Sequence, residues 1–110
     1  MESWFELSKA SDGQFRFALK SDHAQTLLVS ELYRAKDSAQ GGIASVQKSC
    51  GSDARYEKKV AANGKFFFNL KAANNQVIGT SPMYGSEQDR DAGMAAVKAG
   101  GATATVRNSG

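Results

Sequence analysis

The chain has 110 residues, a mass of 11.7 kDa, 41% hydrophobic and 23% charged residues, and a single proline. This length leaves room for one compact domain and excludes a multidomain enzyme, and the composition argues against intrinsic disorder. The formal net charge of +3 is mildly basic, far from the dense charge of a dedicated nucleic-acid-binding arm.

The N-terminal part of the chain has the pattern of a β-hairpin. Residues 4–8 and 14–20 are rich in aromatic side chains, and the second segment alternates strictly between apolar and polar residues. Asp12-Gly13 between them suits a turn that needs positive φ. Residues 26–29 are apolar and β-branched, which predicts a third antiparallel strand.

After Tyr33, the spacing of the apolar residues changes to that of an α-helix. Small and apolar residues recur at the i, i+3, i+4, i+7 spacing of one helix face: Ala39, Gly42, Ile43 and Val46. Glycine inside a helix costs about 1 kcal/mol relative to alanine, so Gly42 indicates a close approach between helix and sheet.

The second half of the chain repeats this pattern at an offset of 51 residues without a gap. About a third of the paired positions from Phe5 to Lys48 are identical, and Tyr33 falls on Tyr84. In the second helix, Ser86 and Asp89 have the spacing of a capping box and place the helix start near Glu87. The second copy also has Asn63-Gly64 and Asn74-Asn75 in predicted turns and Gly93 in its helix. The first copy has Ala35 at the position of Ser86 and therefore lacks the cap.

A repeat of about 50 residues buries too little surface to fold alone, so the two copies are expected to share one core. We predict an α+β fold: one domain over residues 1–110, with repeats at about 1–50 and 55–110, forming one antiparallel sheet with both helices on one face. Residues 103–107 can add a last strand. The side of the sheet covered by the helices should carry Phe15, Phe17, Leu19, Phe66, Phe68 and Leu70.

The run Asn-Gly-Lys-Phe-Phe-Phe-Asn-Leu-Lys-Ala-Ala-Asn at 63–74, followed by Met83-Tyr84 and Gly-Met-Ala-Ala-Val-Lys at 93–98, resembles the YegP-like family of small bacterial proteins in its tandem form. The resemblance runs nearly end to end and departs at residues 22–24. It implies that C-terminal strands are exchanged between repeats, so that 103–107 pairs with the first repeat. It also implies a self-sufficient monomer with pseudo-twofold symmetry, and it implies no activity.

The residues offer poor material for catalysis. The only histidine, His23, lies in a predicted hairpin loop, and the only cysteine, Cys50, lies in the linker after the first helix, where a solvated thiol is expected. One His and one Cys cannot supply a zinc site, and neither Gly41-Gly42 nor Gly100-Gly101 fits a phosphate-binding loop. We therefore expect no enzymatic activity, no metal and no cofactor.

No stretch approaches the 18 or so apolar residues of a membrane span, and the N-terminus has no signal-peptide pattern. A single free thiol fits a reducing compartment. We expect a cytoplasmic protein without membrane contact.

One surface is a candidate for binding. Strand alternation places Arg16, Lys20, Phe67 and Lys71 on the side of the sheet opposite the helices, a hypothetical ligand face. Basic and aromatic side chains on an open sheet can stack unpaired bases and contact phosphates, whereas polar residues on a solvated sheet side are also ordinary. We predict a non-enzymatic binding or interaction module acting through this face or a sheet edge, or alternatively a weak single-stranded nucleic-acid binder; the partner stays open between protein and nucleic acid.

Overall fold

The structure is a computed structural model that describes residues 2–22, 25–103 and 105–108. The predicted α+β class and its tandem arrangement are confirmed, while the departure at His23 and Ala24 lies outside the described residues. In chain order the elements are β1 (Ser3–Lys9), β2 (Phe15–Ser21), β3 (Gln25–Val29), α1 (Lys36–Ser49), a 3-10 helix (Asp53–Arg55), β4 (Tyr56–Val60), β5 (Phe66–Lys71), β6 (Val77–Thr80), α2 (Glu87–Gly100) and β7 (Val106–Asn108).

All seven strands form one sheet in the order β4-β5-β6-β3-β2-β1-β7. The two repeats meet at its centre, where β3 pairs antiparallel with β6 and Val29 lies opposite Thr80. These two residues are 51 positions apart, so each is the repeat equivalent of the other. The pseudo-twofold axis therefore passes between them.

The last strand corrects the prediction of a wholly antiparallel sheet. β7 pairs with β1 of the first repeat, as the family resemblance implies, but it runs parallel to it, with Phe5 beside Val106. Residues 106–108 are the repeat equivalents of 55–57, where the chain enters the strand beside β5. The same position beside β2 is already held by β1. β7 therefore pairs with β1 at the edge of the sheet, and its chain runs in the same direction as that of β1.

The hairpin turns form as their sequences predict. Gly13 and Gly64 have φ values of 88° and 82°, a region that glycine enters without steric cost. The Oδ1 atom of Asp12 accepts the N–H of Gln14 at 3.0 Å, and Asn63 accepts the corresponding N–H in the second copy. Residue Asn75 has φ 67° in the tight turn before β6.

A β-bulge interrupts the pairing in each repeat. The register between β2 and β3 shifts after Leu19, which leaves Leu27 without a strand partner, and Ile78 is the equivalent extra residue between β5 and β6. The bulge allows both Leu27 and Leu28 to be buried although they are adjacent in the strand.

Both helices pack on one face of the sheet and cover a single core. The predicted side is confirmed for Phe17, Leu19, Phe68 and Leu70, which are fully or almost fully buried, and for Phe15, which packs against them. Phe66 lies outside this core, partly buried under Arg90 of α2. Each helix crosses the repeat boundary, because α1 contacts strands β2, β5 and β6 while α2 contacts β3 and β5. The repeats consequently share one core.

The prediction of a solvated Cys50 is wrong. Cys50 is 2% exposed and forms the C-cap of α1. It packs against Gly101, its repeat equivalent at the C-cap of α2, where an added Cβ would lie 2.8 Å from the Cys50 Cβ. The two helix ends meet near the pseudo-axis, and this contact buries the thiol.

The two helix starts differ as predicted. The hydroxyl of Ser86 accepts the N–H of Asp89 at 3.1 Å and caps α2, which begins at Glu87. Ala35 occupies the N-cap of α1 and makes no such bond.

Glycine in each helix marks the predicted close approach. A Cβ on Gly42 would lie 2.5 Å from the hydroxyl oxygen of Tyr33, and one on Gly93 would overlap the Tyr84 hydroxyl. Both tyrosines pack against the core, and burial raises the pKa of each phenol. Their recurrence is explained by helix-to-sheet packing.

Candidate functional site

The side of the sheet opposite the helices carries no helix from the described residues. We call it the open face. Strand alternation places its side chains between those of the core, so that Trp4 and Glu6 flank Phe5 while Arg16, Ala18 and Lys20 alternate with Phe17 and Leu19. The aromatic and charged strand residues of the open face are Trp4, Glu6, Arg16, Lys20, Glu57, Lys59, Phe67, Lys71 and Arg107.

All four sequence-predicted residues lie on the open face, but in two groups. Arg16 and Lys20 are on β2, while Phe67 and Lys71 occupy the equivalent positions of β5. β3 and β6 separate these strands, so the groups are about 14 Å apart at the usual strand spacing. The face consists of two related halves.

In the second-repeat half, a polar network holds Lys71 in place. Its ammonium group lies 3.0 Å from Oε2 of Glu57, and the Asn69 amide donates to Oε1 of the same carboxylate at 3.3 Å. Thr80 in turn donates its hydroxyl to Asn69 at 2.8 Å. The hydrogen bond from Lys71 is the main cause that lowers the pKa of Glu57. The positive charge of Lys71 is therefore largely matched by a carboxylate.

The first-repeat half cannot form this network. Ala18 stands where the second repeat has Asn69, and the smaller side chain leaves a depression of about 210 Å³ between Arg16 and Lys20. Neither cation forms an ion pair with the carboxylates that the structure describes, although Glu6 also lines the depression. The two halves have the same sum of strand charges, but the cations of this half are not held in ion pairs with described carboxylates.

The sequence analysis did not include an aromatic and a cationic residue that meet at one end of the open face. The guanidinium carbon of Arg107 lies 4.2 Å from the centre of the Trp4 ring, and Trp4 is directly opposite Lys20. The indole N–H of Trp4 is buried and has no hydrogen-bond partner among the residues that the structure describes. Alternation around Phe5 could have placed Trp4 on this face, but Arg107 reaches it only because β7 docks beside β1.

The cysteine and the histidine of the chain were the remaining candidate reactive groups. Burial raises the pKa of the Cys50 thiol, and His23 lies outside the described residues. Among the described residues, no group of three or more His, Cys, Asp or Glu side chains could hold a metal ion. No helix in these ranges is long and apolar enough to span a membrane.

Comparison with known sequences decides the family. Residues 10–57 and 61–108 each match DUF1508, a domain of unknown function. The chain belongs to the DUF1508 family. Its two matched segments are themselves 51 residues apart, which agrees with the internal repeat.

Relatives and solved structures of this family match the chain from end to end. The UPF0339 protein YegP of Escherichia coli K12 is 57% identical over 108 residues, covering 98% of each chain. A UPF0339 protein of Acinetobacter baylyi is 59% identical over 108 residues, covering 98% of this chain and 97% of the relative. The predicted resemblance to YegP-like bacterial proteins is confirmed.

Solved structures agree with the fold. The solution NMR structure of E. coli yegP, a protein of unknown function, has a TM-score of 0.93 at 57% identity and covers 98% of this chain and 93% of its own. That of a UPF0339 protein from Shewanella oneidensis has a TM-score of 0.93 at 50% identity, covering 98% and 92%. These DUF1508 relatives support the architecture and leave the activity to be argued from the surface.

Proposed function

We propose that this protein is a non-enzymatic binding module that presents the open face of its sheet to an anionic partner. The observation that carries the proposal is the charge of that face, which has five cationic and two acidic strand side chains. The cations are Arg16, Lys20, Lys59, Lys71 and Arg107, and the acids are Glu6 and Glu57. Lys59 and Lys71 are paired with Glu57, and Arg107 is paired with Glu2, which precedes β1. Such a surplus attracts polyanions over a distance of about 8–10 Å at physiological salt.

Single-stranded nucleic acid fits this face best. Trp4 and Phe67 are four strands apart, about 19 Å at the usual spacing, so an extended chain can reach both while a small molecule cannot. Lys20 lies opposite Trp4, and Lys59 lies opposite Phe67, so each aromatic ring has a cation beside it. A base can stack on the Phe67 ring, and at Trp4, whose ring is covered by Arg107, a base can stack on the guanidinium plane, while the other cations contact phosphates.

The two halves should contribute unequally. Arg16 and Lys20 are free of ion pairs with described carboxylates, whereas Lys71 is bound to Glu57. A phosphate at Lys71 has to compete with that carboxylate, so the first-repeat half should supply most of the affinity. The proposal places the protein in the cytoplasm as a monomer, where Cys50 stays reduced.

The experiment is a residue-resolved NMR titration with short single-stranded RNA and DNA, at low and at near-physiological salt. We expect localised shifts at Trp4, Arg16, Lys20 and Phe67 that weaken as salt is added. Uniform small shifts at all lysines, or none, would contradict the proposal.

Matched variants sharpen the test. The double variant R16Q/K20Q should weaken binding by about tenfold or more, since contacts to charged groups contribute about 1.5–3 kcal/mol each. The control R34Q/K36Q removes the same charge from exposed positions at the start of α1. Equal losses in both variants would show that net charge alone is responsible.

A protein partner at the sheet edge is the second candidate. β1 is covered by β7, but its repeat equivalent β4 has no outer neighbour among the described strands, and Val60 at its end is 61% exposed. An extended segment can add to such an edge by main-chain hydrogen bonds. Sedimentation over a wide concentration range tests the simplest case, a second copy: a dimer abolished by Val60→Lys would support it, and a monomer throughout would not.

A further inference from the structure

A second polar site lies on the helix side of the sheet. It is a groove of about 510 Å³ between the last turns of α1 and the turn that joins β5 to β6. Lys48 and Arg55 line it, together with the hydroxyl-bearing residues Ser45, Ser49 and Ser52. Residues 72–74 form the opposite wall. Its size is within the usual range of small-molecule sites.

The groove is positively charged without compensation. None of its lining residues is acidic, and neither Lys48 nor Arg55 forms an ion pair with a carboxylate of the described residues. The nearby carboxylate of Asp53 is instead paired with Lys98 of α2. Arg55 is half-buried, so its charge is partly removed from water. Lys48 is exposed, and its charge adds to that of Arg55 beside the same concave surface, which favours an anion.

The repeat provides an internal comparison for this groove. At the offset of 51 residues, Lys48 corresponds to Ala99 and Arg55 corresponds to Val106, while Ala73 in the opposite wall corresponds to Asp22. The other repeat therefore forms without a cation at the position of Lys48 and with a carboxylate at that of Ala73, whereas Val106 lies in β7 and does not occupy a place equivalent to that of Arg55. The charge of Lys48 is not a requirement of the architecture.

Helix electrostatics account for only part of the arrangement. Lys48 lies in the last turn of α1, where the negative end of the helix favours a cation. The last turn of α2 has Lys98 for the same purpose, and that lysine has its partner in Asp53. Arg55 lies outside α1, at the end of the 3-10 helix, and the dipole does not explain it.

We propose that this groove binds a small phosphate monoester, with the phosphate between Lys48 and Arg55. A monoester carries about −1.5 to −2 charge at pH 7, which matches the two cations, and the guanidinium fork can bind phosphate through two hydrogen bonds. The serine hydroxyls can donate to the remaining oxygens. No aromatic residue lines the groove, so a nucleobase would have no ring on which to stack. A small phosphorylated compound is therefore favoured over a nucleotide.

The test is an NMR titration that follows backbone amides and the Arg55 Nε–H signal. The probes are inorganic phosphate and glycerol 3-phosphate, with glycerol and chloride as references at constant ionic strength. We expect saturable shifts confined to residues 45–55 and 72–74 with phosphate and with glycerol 3-phosphate, and no such shifts with glycerol or chloride. Shifts that do not saturate, or that chloride reproduces, would overturn the proposal.

Variants separate a site from general charge. Arg55→Gln should weaken phosphate binding by about tenfold or more, and Lys48→Gln, at an exposed position, by about two- to fivefold. The matched control Lys36→Gln, at the exposed start of α1, should change it less than about twofold. If Arg55→Gln does not fold, Arg55→Lys keeps the charge, removes the fork and should still weaken binding. A loss in the control equal to that in Lys48→Gln would refute the site.

This inference is independent of the open face. The groove lies on the helix side, so R16Q/K20Q should leave phosphate binding unchanged, and Lys48→Gln should leave oligonucleotide shifts at Trp4 unchanged. If an oligonucleotide shifts residues 45–55 more strongly than glycerol 3-phosphate does, the groove binds a nucleic-acid phosphate, and the monoester proposal fails.

Discussion

The side chain of Leu28 lies directly on Gly79. A Cβ added to Gly79 would be 2.5 Å from Cδ2 of Leu28, which is fully buried. The two residues are repeat equivalents, 51 positions apart, on either side of the pseudo-axis. Only one large side chain fits there. Cys50 and Gly101 repeat the arrangement between the helix ends, so in both pairs the second copy has glycine where the first has a side chain.

This contact predicts a strong coupling between the two positions. Gly79→Ala should destabilise the protein by about 1–3 kcal/mol, because the new methyl group overlaps Leu28 in a packed core. In a Leu28→Ala background the same change should cost nothing or stabilise, because the methyl group then enters space that Leu28 vacated. Urea denaturation of the four proteins measures this. An equal cost of Gly79→Ala in both backgrounds would show that the leucine is not the cause.

The glycines of α1 predict two opposite effects from neighbouring positions. Gly42→Ala should destabilise by about 1–3 kcal/mol, because its Cβ would overlap Tyr33 and Phe17, which outweighs the gain in helix propensity. Gly41 is exposed and has nothing within 4 Å of an added Cβ, so Gly41→Ala should stabilise by up to about 1 kcal/mol. Thermal and urea unfolding of both variants provide the comparison. Stabilisation by both changes would contradict the packing role.

Because only α2 has a side-chain cap, substitutions at the two N-cap positions should change the stability in opposite directions. Ser86→Ala should cost about 1 kcal/mol, because the N–H of Asp89 loses its acceptor. Ala35→Ser should gain about 0.5–1 kcal/mol, because its backbone, at φ −126° and ψ 149°, already has the extended form of a capping residue. Hydrogen exchange at the first amides of α1 should be slower in Ala35→Ser, and exchange at the first amides of α2 should be faster in Ser86→Ala. A neutral Ala35→Ser would mean that its hydroxyl does not reach the helix.

The Glu57 carboxylate predicts a pH dependence. Its pKa should lie below the ordinary value, and Lys71→Met should raise it more than Lys59→Met, because the Lys71 hydrogen bond is the largest cause and Lys59 acts only through charge. Since the folded pKa is lowered, the contribution to stability is present above the unfolded pKa and is lost as pH falls through the folded pKa. Carboxyl ¹³C NMR measures the pKa of Glu57. Unfolding of Lys71→Met and of the unchanged protein at a series of acidic pH values measures how the free energy of unfolding depends on that pKa. A larger effect from Lys59→Met would contradict the assigned geometry.

The sequence predicted the candidate site only in part. Alternation in β2 and β5 is a local property, so it correctly placed Arg16, Lys20, Phe67 and Lys71 on one side of the sheet. The ion pair of Lys71 with Glu57 could not be predicted, because it depends on the register between β4 and β5. The cationic groove is likewise built from segments that are adjacent only after folding.

The sequence by itself determined the repeat, the hairpins, the turns and the two amphipathic helices. These features depend on residue period and on φ preferences within a few positions, as at Gly13 and Ser86. Only the tertiary structure decided the parallel direction of β7, the burial of Cys50 and the contact between Leu28 and Gly79. Each of these arises where two similar repeats compete for one position near the axis or at the edge of the sheet. Excluded volume then admits only one of them, and no local pattern carries that information.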